Sequence, residues 1–576
     1  MNVAEYLIKR LEALGVNDFF GLPGDYNFNI LYAIENNENT NWIGCTNELN
    51  AGYAADGYAR EKGYGAIVTT YGVGELSAIN AIAGSYAENI PVINIVGLPS
   101  TKNLNDKILL HHNFNIINTK AYIKAYEQVV ETTALLTKEN AKLEIDRVLK
   151  TFVKEKRPVY IAIPMDVSLL EISDKEIDYN WISDKDVLEK VVNIINDKIK
   201  SSTNPVILGD VLVRRYDSYN EYKKMVEKSG IATTNFLMGS DLITDDVKNY
   251  IGTYYSDYRN LLAKKLLETT DCLIAVGTIY SDINSFGFKL PYEINSQVAI
   301  YGTHTYIEGE KYDNVKMADV LEKLTEIVEP RLFDAQKENL ACKKAFITQN
   351  ELTSEYIYPR LQEFFREDDI IISETGISSL GLAEAKLPKN AHFITQTLWG
   401  SIGWATPATL GVCLAKPNKR VVLITGEGSH QLTAMEIGTM LKYGIKPVII
   451  VLNNSGYTIE RVLSRSAEDK FNDIVPINYS KFARVFDGNI WSTRVQTADD
   501  FDKALKVTQI MDKLCYLEIF TDKLDLPKLS EEVFSDIKNK SNVEIDKNIA
   551  EKDVKLMEKK SLKFTTIVHE SLYKDL

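Results

Sequence analysis

Along the first third of the chain, apolar positions switch between two patterns. "VAEYLIKRLEALG" spaces them three and four apart, which predicts an amphipathic helix ended by Gly15. "YGAIVTTYG", "PVINIVGLP" and "RPVYIAIPMD" are instead short continuous apolar runs bounded by turn residues, the pattern of strands buried on both faces. Helix and strand alternate, which predicts a parallel sheet covered by helices. The rhythm recurs twice. Charged "SDKEIDYNWISDKDVLEK" reads as a linker and a helix start, and "NPVILGD", "DCLIAVGT" and "QVAIYGT" mark a second unit. Polar "DAQKENLACKKAFITQNELT" reads as a helical bridge to a third, with strands "DIIISETG", "RVVLITGEG", "KPVIIVLNN" and "LCYLEIF". The expected class is α/β, with three doubly wound parallel-sheet domains over residues 1–180, 190–340 and 352–530. Residues 531–576, rich in Lys, Glu, Asp and Asn, read as a helical tail over other domains or as partly disordered. No local sequence repeat relates the units.

Composition narrows the partners. A chain of 576 residues exceeds one core, and 45% hydrophobic with 25% charged residues lets each unit bury its own. The net charge of −14 argues against nucleic acid or an anionic membrane as a general partner. No apolar run is long enough to span a bilayer, and the N-terminal helical pattern is no signal peptide. Cys45, Cys272, Cys342, Cys413 and Cys515 lack metal-ligand or redox spacing, so they read as reduced thiols of a cytoplasmic protein.

Candidate chemistry in the third unit starts at "LITGEGSHQLT". Glu427 lies between Gly426 and Gly428 where a strand gives way to a helical pattern carrying Ile437, Met440 and Leu441. Such turns welcome phosphate, and a carboxylate there is compatible with phosphate only through a bridging cation. The next strand ends in "NNSGYTIE", and in an open parallel sheet ligands gather at the carboxyl ends of strands. Glu427, the Asn454 amide oxygen and a loop carbonyl at Gly456 suit Mg²⁺, while Gly428 amides and Ser429 suit a diphosphate. The dinucleotide fingerprint is incomplete, and no GK[ST] follows for a P-loop. In the first unit Asp25 lies in "GLPGDYN", Glu48 opens the helical "ELNAGYAADGYAR", and His111 and His112 adjoin in "LLHHNF". Each alone is compatible with a turn acid, a helix N-terminal acid or loop histidines.

An acidic glycine turn followed by NN, with residues 429–452 between, resembles the thiamine-diphosphate signature. "GSHQLTAMEI", "NNSGYTIER", "TLWGSIGWATPATLG" and the three first-unit motifs resemble the pyruvate, indolepyruvate and branched-chain 2-oxo acid decarboxylases over about residues 1–530. Glu427 departs from the Asp usual in that family. Its longer arm must retract to hold an octahedral ion, which favours weaker Mg²⁺ binding or competition by Ca²⁺ and Mn²⁺.

The resemblance implies thiamine diphosphate and Mg²⁺ as cofactors, and non-oxidative decarboxylation of a 2-oxo acid to an aldehyde and CO₂ through a thiamine enamine. It implies that Glu48 contacts N1′ of the aminopyrimidine and sets its tautomer. Ile402 wedges the cofactor into a bent shape, carbonyls near Gly400 hold the exocyclic amine, and Thr375 and Ile459 line its edge. Glu460 sits beside the substrate carboxylate, while Asp25, His111 and His112 manage protonation of the enamine and aldehyde release. His430 is a further candidate for the cofactor's edge, with structural packing the favoured reading. The side-chain pocket implied is Ile377, Ser379, Leu380, Ile459, Leu463, Val533 and Ile537. These residues are small or aliphatic, which favours branched or longer oxo acids with pyruvate also accepted. "GTIYSDINSFGF" reads as a second-unit loop reaching toward the site. The family arrangement is a homodimer sharing its active sites, paired into a homotetramer. A carboligase of the acetolactate-synthase type is the alternative, disfavoured by the histidine pair and Glu460, since that chemistry must avoid protonating the enamine. A catalytically silent cofactor-binding protein would have no use for the full acid and histidine set.

Overall fold

The computed structural model describes residues 1–115, 118–174, 177–287, 297–333, 345 and 350–544. Three sheets follow one another along the chain. The first is β1 (Asp18–Gly21), β2 (Asn41–Gly44), β3 (Gly65–Thr70), β4 (Val92–Leu98), β5 (Thr132–Leu135) and β6 (Val159–Pro164). The central one is β7 (Pro205–Gly209), β8 (Ala232–Asn235), β9 (Tyr250–Thr253), β10 (Cys272–Val276), β11 (Val298–Ile300), β12 (His304–Ile307) and β13 (Glu310–Asp313). The last is β14 (Ile370–Ser373), β15 (His392–Ile394), β16 (Val421–Gly426), β17 (Val448–Asn453), β18 (Ile490–Val495) and β19 (Leu514–Phe520).

The first and last sheets are wholly parallel and wound alike. Their orders are β2-β1-β3-β4-β6-β5 and β15-β14-β16-β17-β19-β18. The winding reverses between β1 and β3, and again between β14 and β16. Those reversals open a crevice at the carboxyl ends of the flanking strands, where ligands of such sheets bind. β3, β4 and β6 are buried along their length, as their apolar runs require. The central sheet departs from the all-parallel expectation. β11, β12 and β13 pair antiparallel at one edge, through a tight turn at Glu308 and Gly309, both in the left-handed region.

One hydrophobic cluster spans the first and third units. At its centre the Glu48–Lys62 helix crosses the Ala405–Ala415 helix at backbone contact. A Cβ at Gly57 would overlap the Ala408 backbone, and one at Gly411 would overlap the Ala54 carbonyl. Small residues therefore bring the helices together, and a buried network locks the crossing. Arg60 donates to Asp56 at 2.7 Å and to Glu88 at 2.8 Å, while Trp404 Nε1 donates to Asp56 at 2.8 Å.

The tail begins earlier than the composition suggests. A helix over Lys528–Glu544 buries Leu529, Val533 and Phe534 in the third unit's second cluster. It packs on the helices Ile377–Leu382 and Thr458–Leu463. Phe286 of the central loop joins the same cluster, and Tyr255 donates to the Ala383 carbonyl at 2.6 Å. Residues 545–576 and all of the polar bridge 334–349 except Ala345 lie outside the described residues, as does Cys342. Cys45, Cys272, Cys413 and Cys515 are unpaired. Among the described residues no helix is long and apolar enough to cross a membrane.

The helix crossing makes a direct stability prediction. Gly411→Ala forces a methyl group against backbone and should destabilise the chain by about 1–3 kcal/mol or more, read as a lower urea midpoint. An unchanged midpoint would contradict the close crossing.

Candidate active site

The first group of candidate residues gathers at the β1/β3 crevice. After β1 the chain turns through Leu22–Gly24, fixed by buried Asn27, which accepts the Gly24 N–H and donates to the Leu22 carbonyl, both at 3.0 Å. Asp25 emerges from this turn half exposed. His111 Nε2 lies 3.1 Å from Asp25 Oδ2, and the His112 ring stands edge-on to that of His111, centroids 4.4 Å apart. Ligand atoms of Asp25, His111 and His112 all fall within 4.8 Å of one another. Two tyrosine hydroxyls hold the histidine backbone: Tyr71 donates to the His111 carbonyl and Tyr122 to that of His112 at 3.1 Å. Burial and the neighbouring His111 lower the His112 pKa, against the pull of Asp25.

Glu48 heads its helix behind an Asn47 cap, which accepts the Asn50 N–H at 2.8 Å. Its Oε1 would lie 3.1 Å from a Cβ placed on Gly74, and such an atom on Gly72 would overlap the His112 carbonyl. The turn Gly72–Gly74 thus packs against both the Glu48 carboxylate and the His112 carbonyl. Sequence reasoning missed the residue that holds this turn. Buried Glu75 accepts the Gly72 N–H at 2.7 Å and the Tyr160 hydroxyl at 2.8 Å, and burial pushes its carboxyl up to about 7. The signal was an acid inside the otherwise small and apolar "GVGELSAIN".

The second group lies at the β14/β16 crevice. Glu427 is 2% exposed. Its Oε1 accepts the Gly456 N–H at 2.7 Å and the Asn454 N–H at 3.2 Å, and burial pushes the carboxyl up to about 7. One terminal atom of the Asn454 amide lies 3.3 Å from Glu427 Oε2 and 2.8 Å from the Gly456 carbonyl oxygen. In the protein alone the amide NH₂ satisfies both oxygens. With the amide oxygen turned inward and Glu427 ionised, three oxygens converge as a donor set that a cation would satisfy. Neighbouring ligands of an octahedral Mg²⁺ at 2.0–2.1 Å are about 2.9 Å apart. The donor set therefore fits a divalent ion.

Around it, the Tyr457 ring lies close over Gly428, Ser429 is buried, and Thr375 flanks β14. His430 is fully buried, with Nδ1 2.8 Å from Thr406 Oγ1 and Nε2 2.9 Å from the Tyr516 hydroxyl. Burial lowers its pKa to about 3, so it is a neutral packing residue. Gly400 is exposed, and Ile402 is 37% exposed on the same loop. Ile377, Leu380, Ile459, Leu463 and Val533 share one apolar cluster. Ser379 is buried and donates to the Gly376 carbonyl at 3.0 Å, whereas Ile537 is 38% exposed. Glu460 is exposed on the Thr458–Leu463 helix beside them.

Among the described residues no hydrogen bond or ion pair joins the two groups within one chain. Thr46 and Asn50, flanking Glu48, instead donate to Glu436 of the third unit at 2.6 and 2.8 Å.

Family profiles match the chain three times. The N-terminal TPP binding domain of thiamine pyrophosphate enzymes matches residues 1–122, the central domain 192–323 and the C-terminal TPP binding domain 374–519. Pyruvate decarboxylase isozyme 1 of Saccharomyces cerevisiae is 35% identical over 92% of this chain and 97% of that protein. Pyruvate decarboxylase of Kluyveromyces lactis is also 35% identical, over 92% of this chain and 96% of its own. A putative pyruvate decarboxylase of Schizosaccharomyces pombe is 34% identical, with shares of 92% and 96%. The three profile matches, and this likeness along nearly the whole chain, mean that the chain belongs to the thiamine-pyrophosphate-dependent 2-oxo acid decarboxylases.

Proposed function

We propose that the chain converts a 2-oxo acid to an aldehyde and CO₂, with pyruvate and branched or longer oxo acids as substrates and thiamine diphosphate with Mg²⁺ as cofactors. One observation carries the choice of decarboxylation over carboligation. Asp25, His111 and His112 cluster within 4.8 Å, and the Gly72–Gly74 turn lies against both the His112 carbonyl and the Glu48 carboxylate. Release of an aldehyde needs a proton delivered to carbon, and this cluster is a proton store open to solvent.

When bound, the thiazolium supplies a nucleophilic carbon and an electron sink. The protein's part is to hold, shape and protonate. Glu427, Asn454 and Gly456 would hold Mg²⁺, and Gly428 with Ser429 would hold the diphosphate. Glu48 would hold a proton at the pyrimidine N1′. Thr375, Gly400 and Ile402 would set the cofactor's shape. Ile377, Ser379, Leu380, Ile459, Leu463, Val533 and Ile537 would exclude water around the substrate side chain, with Glu460 beside its carboxylate. Asp25, His111 and His112 would move protons to product.

The two half-sites belong to different copies in this reading: Glu48 of one chain serves the Glu427 site of another. The exposed apolar residues Val73, Trp399, Ile402, Leu432 and Met435 support it, because both half-sites are left with bare apolar neighbours. Pairing of two such dimers gives the homotetramer. Unpaired thiols support a reducing, cytoplasmic setting.

Three outcomes test this reading. Glu48→Gln should cut aldehyde formation by roughly 10²–10⁴-fold while circular dichroism and thermal midpoint stay put; unchanged turnover would refute the proton role. Glu427, with a carboxyl at about 7, must lose its proton to bind a metal. Mg²⁺ affinity measured by calorimetry should therefore weaken as pH falls below 7, approaching about tenfold per unit, and a flat profile would contradict the assignment. In a coupled aldehyde assay over a panel of 2-oxo acids, Ser379→Phe should abolish branched substrates before pyruvate. Equal loss of all substrates would remove Ser379 from the pocket.

A further inference from the structure

We propose that Glu374 is a positioning residue. Its buried carboxylate ties the backbone that follows Ile402 to that of Thr375 and so sets the bend of the bound thiamine. The inference rests on the reading that Gly400, Ile402 and Thr375 face the cofactor.

Glu374 directly follows β14 at the crevice and is fully buried. Among the described residues no cation pairs with it. Its partners are backbone N–H groups. Oε2 accepts from Gly403 at 3.1 Å and Ala405 at 3.3 Å, and Oε1 from Thr375 at 3.2 Å. The two oxygens thus tie together the two backbone segments assigned to the cofactor. A buried carboxylate without a cation is costly to keep, and burial pushes this one up to about 7. Such a group persists where the geometry it imposes is needed.

Gly403 is pinned from its other side as well. Its carbonyl accepts the Thr433 hydroxyl at 2.7 Å. It has a φ of 88°, and a Cβ there would lie 3.2 Å from the Ser429 carbonyl oxygen. Ser401, one residue before Ile402, is held by the Tyr53 hydroxyl at 2.7 Å. Every neighbour of Ile402 is therefore fixed, and the Ile402 side chain is the part left exposed. Thr433 follows the Glu427 turn, so Gly403 also couples the diphosphate end of the site to the bend.

Glu374→Gln keeps the size but leaves one amide NH₂ facing a backbone N–H whichever way it turns. In the cofactor-free protein, amide exchange over residues 399–405 should speed up while the thermal midpoint moves little. In the loaded protein, hydrogen–deuterium exchange at the thiazolium C2 should slow by about 10–100-fold, since a misplacement of about 1 Å costs this much. The kcat should fall in parallel, with KM and the affinity for Mg²⁺–thiamine diphosphate changed less than about threefold, because the diphosphate anchors are untouched. Thr433→Val, which removes the second peg of Gly403, should give the same signature with smaller amplitude; it decides the matter if Glu374→Gln does not fold. C2 exchange within about threefold of the parent in the folded variant would overturn the proposal. Ile402→Ala separates the two failures. If it slows C2 exchange while Glu374→Gln does not, only the positioning role is lost. If neither does, the assignment of Ile402 to the cofactor is lost too.

Discussion

A carboxylate taken out of water without a cation has only hydrogen bonds to steady it, and this fold keeps three at its crevices. Glu75, Glu374 and Glu427 are each buried, each raised to about 7, and each held by the backbone N–H groups of a turn, Glu75 by one such group and the Tyr160 hydroxyl. The cost of burial is what makes them useful. A turn whose amides must face a buried oxygen has little freedom to move. Glu75 fixes the turn under Glu48 and His112, Glu374 fixes the loop that presents Ile402, and Glu427 fixes the Asn454–Gly456 turn while its second oxygen faces the Asn454 amide. The exposed groups assigned to proton traffic, Asp25 and His111, stand on this rigid frame rather than forming it.

The same winding in the first and last sheets gives one chain two equivalent crevices. Each sheet reverses between its first and third strands, and each reversal opens a crevice at the carboxyl ends. One crevice carries an acid and two histidines, the other a set of converging oxygens. The close helix crossing at Gly57 and Gly411 fuses the two units into one core, so the two groups of candidate residues are held in fixed relation, though among the described residues no hydrogen bond or ion pair runs directly from one group to the other.

Much of this was legible from residue order. β3, β4, β6, β7, β10, β16, β17 and β19 are buried on both faces and stand out as unbroken apolar runs. The acid after "RVVLIT" and the "NN" after "KPVIIVL" follow from where parallel strands end. The antiparallel hairpin of β12 and β13 was not legible, because "HTYIEGEKYD" is half polar and short, and its strand character comes from pairing at a sheet edge. The start of the last helix at Lys528 was hidden for a related reason: its apolar face is set by docking onto the third unit, and its mean composition is polar. Glu75 is marked only by its small, apolar surroundings, and Glu374 carries no local mark that separates a buried acid from an exposed one. Only the folded turn above it does. His430 sits in a motif dense with function, yet its two hydrogen bonds and full burial make it a packing residue.

The claim that everything turns on is that Glu48 of one copy completes the Glu427 site of another. Mixing two inactive chains tests it most directly. Glu48→Gln and Glu427→Ala proteins, unfolded and refolded together, should regain aldehyde formation up to about a quarter of the parent, because half of the dimers are mixed and each restores one intact site. Mixtures as inactive as either chain alone would contradict a shared site.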